Sequence, residues 1–183
     1  MKNTASGWCC CLVMLLGASA VLTSCGTRPD LLGSAEGPKA VEVKLAGGGK
    51  ALQAVTVAES ATEPVIAEAR DLAAYLERIS GARVEVRKGD GSSGLAVGTC
   101  KDFPGLAAAS DFSPDPFHKN DYLLRSHARG VYLIGATETA VSAAVWDFLD
   151  RLGYRLFFLT DTWEVVPRIA DLQVAINSFE TPD

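Results

Sequence analysis

The spacing of apolar side chains predicts two helices in the chain. In residues 65–79 apolar side chains recur at three- and four-residue steps, the period of a helix with one buried face. Ser60 and Glu63 have the spacing of a capping box at its start, and Gly81 is placed to end it in a left-handed conformation. A second stripe of the same period covers residues 139–152. Each helix therefore has one face for burial against another layer of structure.

Shorter segments alternate between apolar and polar side chains, or are apolar throughout, and these patterns predict strands. The predicted strands cover residues 41–45, 53–58, 83–87, 95–98, 121–126, 130–135, 154–158 and 163–166. The turn at 127–130 predicts a hairpin, whereas residues 101–120 contain three prolines, have no period and are predicted to be a long loop. The order of these elements indicates an α+β fold, a mixed β-sheet with two amphipathic helices packed on it.

The composition is that of one globular domain and does not favour a nucleic-acid-binding protein. The 183 residues are 48% hydrophobic and 21% charged, both ordinary values for a protein with a buried core. The formal net charge is -5 at pH 7, and the lysines and arginines are scattered, so phosphate meets no basic stripe. Nucleic acid is therefore not an expected partner.

Residues 1–24 have the features of a secretory signal peptide. Lys2 supplies a positive charge, and residues 8–22 are almost wholly apolar but shorter than the ~20 residues that a membrane span needs. The sequence Leu22-Thr23-Ser24-Cys25 then resembles the lipobox of bacterial lipoproteins. That resemblance implies cleavage before Cys25 and acylation of both its thiol and the new N-terminus, so we expect lipidation at Cys25.

A lipid on Cys25 makes the membrane an expected partner, because two or three acyl chains hold a protein stably whereas one holds it marginally. Residues 25–40 are rich in small and turn-forming residues and are predicted to be the lipidated tether. Gly26 stands where an aspartate would favour the inner membrane of enteric bacteria, so the outer membrane is preferred. The alternative is an ordinary cleaved signal peptide with a chance cysteine after it.

Cys100 is the only cysteine in the predicted body of the protein. It has no partner for a disulfide, and no Cys/His spacing indicates a zinc site, so we expect neither a metal nor a cofactor. We interpret Cys100 as a half-buried or surface thiol at a strand end. A reactive nucleophile is the alternative, but no helix N-terminus or basic cluster beside it would lower its pKa.

Seven blocks of sequence together resemble a known family. The most specific is residues 144–158, which contains Phe148-Leu149-Asp150-Arg151-Leu152-Gly153-Tyr154-Arg155. The other blocks are residues 69–81, 84–86, 95–98, 122–125, 131–135 and 165–167. With these blocks, residues 59–167 resemble the N-terminal domain of bacterial α-glucuronidases of glycoside hydrolase family 67. A similar small domain precedes the barrel in β-N-acetylhexosaminidases.

In these families the two catalytic carboxylates lie on the (β/α)8 barrel that follows this domain. The resemblance therefore implies that residues 41–170 form a non-catalytic accessory domain, with residues 171–183 as a tail leading toward a barrel. No catalytic residue is carried over, and we do not expect the chain by itself to be an enzyme. Its expected partners are a (β/α)8 catalytic domain or a polysaccharide.

Acidic and histidine side chains leave a catalytic alternative open. Hydrolysis of a glycoside needs two carboxylates facing a sugar, about 5 to 10 Å apart. The candidates are Asp111, Asp115, Asp121, Asp161 and Glu164, with His118 and His127 as the two histidines of the chain. We interpret the acids as solvated charges or turn formers and both histidines as exposed loop side chains.

Two aromatic side chains are candidate contacts to carbohydrate. Trp163 lies near a predicted edge strand and Phe117 in the long loop, where a sugar ring can rest on an exposed aromatic face. Four other aromatic side chains are predicted to belong to the core: Trp146, Tyr154, Phe157 and Phe158.

Three functions remain open on this evidence, and each predicts a different surface. An accessory domain for a barrel predicts an exposed apolar patch. A free-standing carbohydrate-binding lipoprotein predicts a concave site with an exposed aromatic side chain. A small hydrolase predicts a pocket of convergent carboxylates or histidine with a perturbed pKa. We favour the first.

Overall fold

One six-stranded mixed β-sheet organises the part of the chain that the computed structural model describes, residues 39–158 and 161–182. The predicted leader, Cys25 and most of the predicted tether lie outside these residues. Within them, no helix combines the length and the apolar character needed to cross a membrane.

Strands and helices follow one another along the whole of the described chain. The first half contains β1 (Val43–Gly47), β2 (Lys50–Ala51), β3 (Val55–Val57), helix α1 (Glu63–Ser80), β4 (Val86–Lys88) and β5 (Gly94–Thr99). The second half contains β6 (Tyr122–His127), β7 (Gly130–Gly135), helix α2 (Glu138–Arg151), β8 (Arg155–Leu156), β9 (Glu164–Val165), β10 (Leu172–Val174) and β11 (Asn177–Glu180). The predicted α+β class, a mixed sheet with two amphipathic helices, is confirmed.

The main sheet joins a parallel half to an antiparallel half. Its strand order is β11-β6-β7-β5-β3-β4. Strands β4, β3, β5 and β7 run parallel to one another, whereas β6 and β11 pair in antiparallel fashion. Strands β10, β1 and β2 form a separate antiparallel sheet, and β8 and β9 form a two-stranded one. The predicted hairpin is confirmed as β6 and β7, from the pair Tyr122–Gly135 to the pair His127–Gly130.

Helix α1 ends where the sequence predicts but begins without the predicted capping box. Gly81 has a φ of 73°, and its N–H donates to the Glu77 carbonyl at 2.8 Å. The N-cap residue is Thr62, whose side chain makes no capping hydrogen bond. Because Ser60 lies two residues before the cap, its hydroxyl cannot serve the helix and donates to Asp102 at 3.4 Å instead. The capping-box prediction is therefore wrong.

Both helices contribute to one core with the main sheet. The period of each helix places its apolar side chains on one stripe, and the strands supply the facing side chains. The core includes Leu72, Leu76, Val97, Leu133, Val145 and Phe148, each at most 2% exposed. Burial of this kind contributes about 25 cal/mol per Å² of apolar area and holds the sheet and helices together.

The long loop carries a second, smaller core cluster. Its Phe103 is 3% exposed. Cβ atoms added at Gly91, before β5, and at Gly98, within β5, would lie 2.9 and 2.7 Å from the Phe103 ring. The absence of side chains at these two glycines makes room for the ring. The loop is not irregular throughout, since it contains two short 3-10 helices, Ala107–Asp111 and Pro116–His118.

Two segments near the C-terminus differ from the prediction. The sequence predicts a tail at 171–183, whereas β10 and β11 lie there and pair with β1 and β6, so paired strands extend to Glu180. The strand predicted at 154–158 shortens to β8, which pairs with β9 outside the main sheet. Residues 156–159 are four consecutive apolar residues. A strand must send alternate side chains to opposite faces, so such a run cannot all face one core.

Candidate functional site

An exposed apolar surface occupies the hairpin formed by β8 and β9. Five side chains, each between 46% and 66% exposed, define what we call the hairpin surface: Leu156, Phe157, Phe158, Trp163 and Val165. The ring centroids of Phe158 and Trp163 lie 5.7 Å apart, and the Phe157 N–H donates to the Trp163 carbonyl at 3.1 Å. The predicted exposure of Trp163 is confirmed, whereas the prediction that Phe157 and Phe158 belong to the core is wrong.

Three aromatic rings from three parts of the chain support the base of this hairpin. Tyr75 belongs to α1, Trp146 to α2, and Tyr154 directly precedes β8. The Tyr75 centroid lies 4.8 Å from that of Tyr154 and 5.5 Å from that of Trp146, both in edge-to-face geometry. Burial raises the pKa of the Tyr154 phenol, which stays neutral. These contacts join the hairpin to both helices.

Glu164 on β9 fastens the hairpin to helix α1. Its carboxylate accepts hydrogen bonds from the Tyr75 hydroxyl and from the Arg78 guanidinium, each at 3.0 Å, and a second hydrogen bond from Arg78. We call these three residues the Glu164 latch. The Glu164 side chain is only 12% exposed, and the hydrogen bonds from Arg78 hold the pKa of its carboxyl below the usual value. The interpretation of Glu164 as a solvated charge is therefore wrong.

A second polar network holds the last strand, β11, against helix α2. Arg151 donates to Asp147 at 2.9 and 3.0 Å and to Glu180 at 2.9 Å. The Tyr122 hydroxyl donates to Asp147 at 3.1 Å. Burial, followed by the nearby Asp147 carboxylate, raises the pKa of Tyr122 to about 12. Glu180, at the end of β11, therefore lies beside the C-terminal half of α2, the helix that also carries Trp146.

Phe117 stands at the rim of a groove that shares no residue with the hairpin surface. The side chain is 91% exposed, so its predicted exposure is confirmed. Asp115 caps the short 3-10 helix that presents it, because the Asp115 carboxylate accepts from the Phe117 N–H at 3.0 Å. The groove, which we call the Phe117 groove, is lined by residues 116–121 together with Thr181 and Pro182.

A histidine–aspartate pair lines the same groove. His118 Nδ1 lies 2.9 Å from Asp121 Oδ2. Asp121 is 4% exposed, whereas the His118 side chain is 44% exposed. The interpretation of Asp121 as a solvated charge is wrong, because backbone hydrogen bonds to His118 and Ala136 draw the residue into the fold just before β6.

Two other candidate acids and the second histidine have their own places in the fold. Asp111 forms an ion pair with Arg125 at 2.8 Å, and Asp161 belongs to a short 3-10 helix before β9. The His127 ring stacks on Tyr132 with 4.1 Å between centroids, and burial lowers the pKa of His127. His127 is thus a half-buried side chain at the end of β6, and its interpretation as an exposed loop histidine is wrong.

Cys100 is the only cysteine among the described residues. Cys100 directly follows β5 and is half-buried, as predicted. Across residues 39–158 and 161–182, no group of three or more His, Cys, Asp or Glu side chains is placed to hold a metal ion. The candidate lipidation site, Cys25, lies outside the described residues.

Sequence reasoning missed the latch and part of the hairpin surface. Tyr75 and Glu164 are 89 positions apart in the chain, and no local pattern connects them. A signal did exist for the hairpin surface, in the apolar run at 156–159. Exposed runs of that kind in a protein usually have a functional cause.

The chain is similar to parts of three solved glycoside hydrolase structures. The GH20 β-N-acetylhexosaminidase from Streptomyces coelicolor A3(2) shows 19% identity and a TM-score of 0.48, over 79% of this chain and 24% of its own. The Streptomyces plicatus N-acetyl-β-hexosaminidase in complex with Thio-NAglucal shows 16% identity and a TM-score of 0.44, over 78% of this chain and 25% of its own. A GH138 enzyme targeting pectin rhamnogalacturonan II shows 12% identity and a TM-score of 0.40, over 66% of this chain and 11% of its own.

These structures belong to families GH20 and GH138, not to family 67. No family model and no curated protein sequence matches the chain. The chain spans 24% and 25% of the length of the two hexosaminidases, so each of them is a much longer protein.

Proposed function

We propose that this chain is a non-catalytic N-terminal accessory domain of a glycoside hydrolase system, similar to that of α-glucuronidases, and that a lipid on Cys25 anchors it to a bacterial membrane. The observation that carries the proposal is the hairpin surface, on which five apolar side chains are each 46% to 66% exposed. We assign this surface to the docking of a (β/α)8 catalytic domain. The resemblance of residues 59–167 to glycoside hydrolase N-terminal domains supports the assignment.

The hairpin surface has the chemistry of a docking site. Contiguous apolar patches on soluble domains commonly mark interaction sites, and aromatic side chains are enriched in the buried centres of interfaces. The Glu164 latch and the three rings beneath the hairpin hold it in one arrangement, so docking loses little conformational entropy. Full burial would contribute about 1.5 to 3 kcal/mol for each large apolar side chain.

The position of β11 favours a following domain as the occupant of this surface. Arg151 on α2 binds Glu180 at the end of β11, and the same helix carries Trp146 beneath the hairpin. Polypeptide that continued past residue 183 would start beside the helix that supports the hairpin surface. A barrel linked covalently there would be held at a high effective concentration near the domain, which favours its docking over that of a free partner.

The coding sequence after codon 183 and the accessibility of Trp163 together test this function. If the reading frame continues into a barrel, iodide quenching of fluorescence is compared between the 183-residue chain and the longer polypeptide. A Trp163→Phe variant of each isolates the signal of that one side chain. We expect Trp163 to be quenched in the short chain and protected in the long one. Equal quenching in both, or a stop codon at 184, would contradict docking of a covalently linked barrel.

The lipid anchor is tested separately by labelling bacterial cells that express the chain with palmitate. We expect label on the wild-type protein and its recovery with the outer membrane, and loss of both in a Cys25→Ser variant. Cys100→Ser removes the thiol in the body of the protein and serves as the matched control, which keeps the label. Palmitate found on the Cys25→Ser variant would rule out this site of attachment.

A free-standing carbohydrate-binding lipoprotein is the second candidate function, with Phe117 and Trp163 as its sugar contacts. Phe117 is the observation that favours it. A phenyl ring that is 91% exposed at the rim of a groove contributes little to folding. Binding sites for small ligands combine such apolar faces with a few placed polar groups, and the Phe117 groove contains both.

A further inference from the structure

We propose that the Phe117 groove is a binding subsite for a neutral pyranose, in which the Phe117 ring stacks on the sugar while Asp121 and His118 bind two of its hydroxyl groups. The inference rests on the second candidate function, carbohydrate binding, and gives that function a place and a ligand class. The groove and the hairpin surface share no residue, so the two proposals are tested by different variants.

Phe117 is placed for contact with a ligand, in contrast to its neighbours in the same loop. Phe103 is 3% exposed, and the Phe112 ring lies 5.3 Å from that of Phe179. The loop thus packs two of its three phenylalanines against the protein and leaves the third in solvent. An exposed phenyl ring offers a flat apolar face that matches the C–H face of a pyranose.

Asp121 supplies a hydrogen-bond acceptor on the wall of the groove. Its Oδ2 is bound to His118, and Oδ1 has no partner among the described residues. Asp121 lines the groove although the residue is only 4% exposed. A carboxylate that is largely desolvated gains strongly from a hydroxyl donor.

His118 supplies the second polar contact. A carboxylate can only accept, so the hydrogen bond to Asp121 places the proton of a neutral imidazole on Nδ1. Nε2 is then an acceptor on a side chain that is 44% exposed and lines the groove. Two acceptors on one wall fit the two donors of a vicinal diol on a pyranose ring.

The same charges argue for a neutral sugar. A uronate or a phosphate would bring its negative charge to the Asp121 carboxylate, which is 4% exposed and poorly screened, whereas the charge of Lys119 in the same groove belongs to an exposed side chain and is screened by water. Neutral hydroxyl groups meet no such repulsion. The groove is therefore assigned to uncharged sugar units of a glycan.

The test is an NMR titration of the full chain with two probes, cellotetraose as the neutral glycan and tetragalacturonate as the anionic one. We expect the amide resonances of residues 117–121 to shift in a saturable way with cellotetraose alone. Phe117→Ala should weaken binding by ~10-fold or more, because the stacking face is lost. Asp121→Asn should weaken it by ~10-fold, because a charged acceptor becomes a neutral one. Leu52→Ala, at another exposed apolar side chain, is the control and should bind as wild type.

Each outcome separates the subsite from the wider function. Absence of shifts with both probes overturns the subsite and carbohydrate binding together. Cellotetraose binding that survives Phe117→Ala overturns the subsite but keeps carbohydrate binding, with Trp163 as the next contact to test. Preference for tetragalacturonate overturns the ligand class. If Asp121→Asn fails to fold by circular dichroism, Phe117→Ala decides, because that side chain is 91% exposed and the fold does not depend on it.

Discussion

Helix α1 and the β8–β9 hairpin are both rich in large apolar side chains, yet only the helix buries them. In α1, Leu72, Leu76 and Ile79 are each at most 2% exposed, whereas the hairpin exposes Phe157 and Phe158 by 65% and 66%. The difference lies in spacing. A three- to four-residue period places all apolar side chains of a helix on one face, but a consecutive run in an extended chain points both ways. Apolar content alone therefore does not predict burial, and the period does.

The two regions should differ most in how much free energy of unfolding is lost when a leucine is replaced by alanine. Leu72→Ala in α1 leaves a cavity in the core and should lower the free energy of unfolding by about 3 kcal/mol. Leu156→Ala on the hairpin surface removes a side chain that is 46% exposed and should cost less than about 1 kcal/mol. Urea denaturation of the two variants checks this. Equal costs would mean that the hairpin is as much a part of the core as the helix.

Replacing a glycine in the sheet should lower the free energy of unfolding slightly less than Leu72→Ala does, and replacing one in the long loop should hardly change it. A Cβ atom at Gly130 in β7 would lie 1.9 Å from the Gly94 carbonyl oxygen of the neighbouring strand, whereas a Cβ at Gly105 in the long loop meets nothing within 4 Å. Gly130→Ala should lower the free energy of unfolding by about 2 to 3 kcal/mol. Gly105→Ala is the matched control and should stay within about 0.5 kcal/mol of wild type. A Gly130→Ala variant as stable as the control would show that β5 and β7 can move apart freely.

The Glu164 latch predicts a smaller, pH-dependent effect on the hairpin. Glu164→Gln should lower the free energy of unfolding at pH 7 by about 1 to 2 kcal/mol. The loss is no larger because the Arg78 side chain is 47% exposed, so water screens its attraction to Glu164. The pKa of Glu164 is lowered in the folded state. The advantage of wild type is therefore complete above the unfolded pKa of about 4.3 and disappears as the pH falls through the folded pKa.

Thermal unfolding of wild type and Glu164→Gln between neutral and acidic pH measures this prediction. A difference between the two proteins that grew on acidification would have the wrong sign. Tyr75→Phe removes one hydrogen bond to the same carboxylate and keeps the ring, so its smaller loss of stability provides the control.

The smallest expected effect on stability belongs to the hairpin surface itself. The double variant Phe157→Ser and Phe158→Ser should leave the free energy of unfolding of the 183-residue chain within about 0.5 kcal/mol of wild type, because both side chains are already in solvent. The same variant should lose binding of a hydrophobic dye and the protection of Trp163 by an attached barrel. Loss of stability without loss of protection would assign the two side chains to folding instead of docking.

Periodicity explains how much of the fold could be predicted. Helix α1, its end at Gly81, helix α2 and the β6–β7 hairpin all follow from patterns within short windows, and all are present. The strands β10 and β11 could not be predicted in the same way. Leu172 and Val174 alternate with Gln173, but three residues are too few for the alternation to distinguish a strand from a loop. Residues 177–180 carry no clear alternation, and the pairing partners of both strands lie far back in the chain.

The candidate site was less predictable, because its parts meet only after folding. Exposure of Trp163 and Phe117 follows from their position near an edge and in a loop. The burial of Asp121 and Glu164 does not, since each depends on a partner that the fold supplies: a nearby imidazole for Asp121, and the Tyr75 hydroxyl with Arg78 for Glu164. Charged residues in a sequence are expected at the surface unless such partners are known.

The pairing of β1 with β10 sets the order in which the domain can be completed during synthesis. Val43, near the start of the described chain, lies opposite Val174, near its end. Strand β2 offers β1 a partner of only two residues, too short to be stable alone. One side of β1 therefore stays unpaired until residue 174 has been synthesised and has left the ribosome. The last strands close the first, so the smaller sheet reaches its final pairing only when almost all of the described chain has been made.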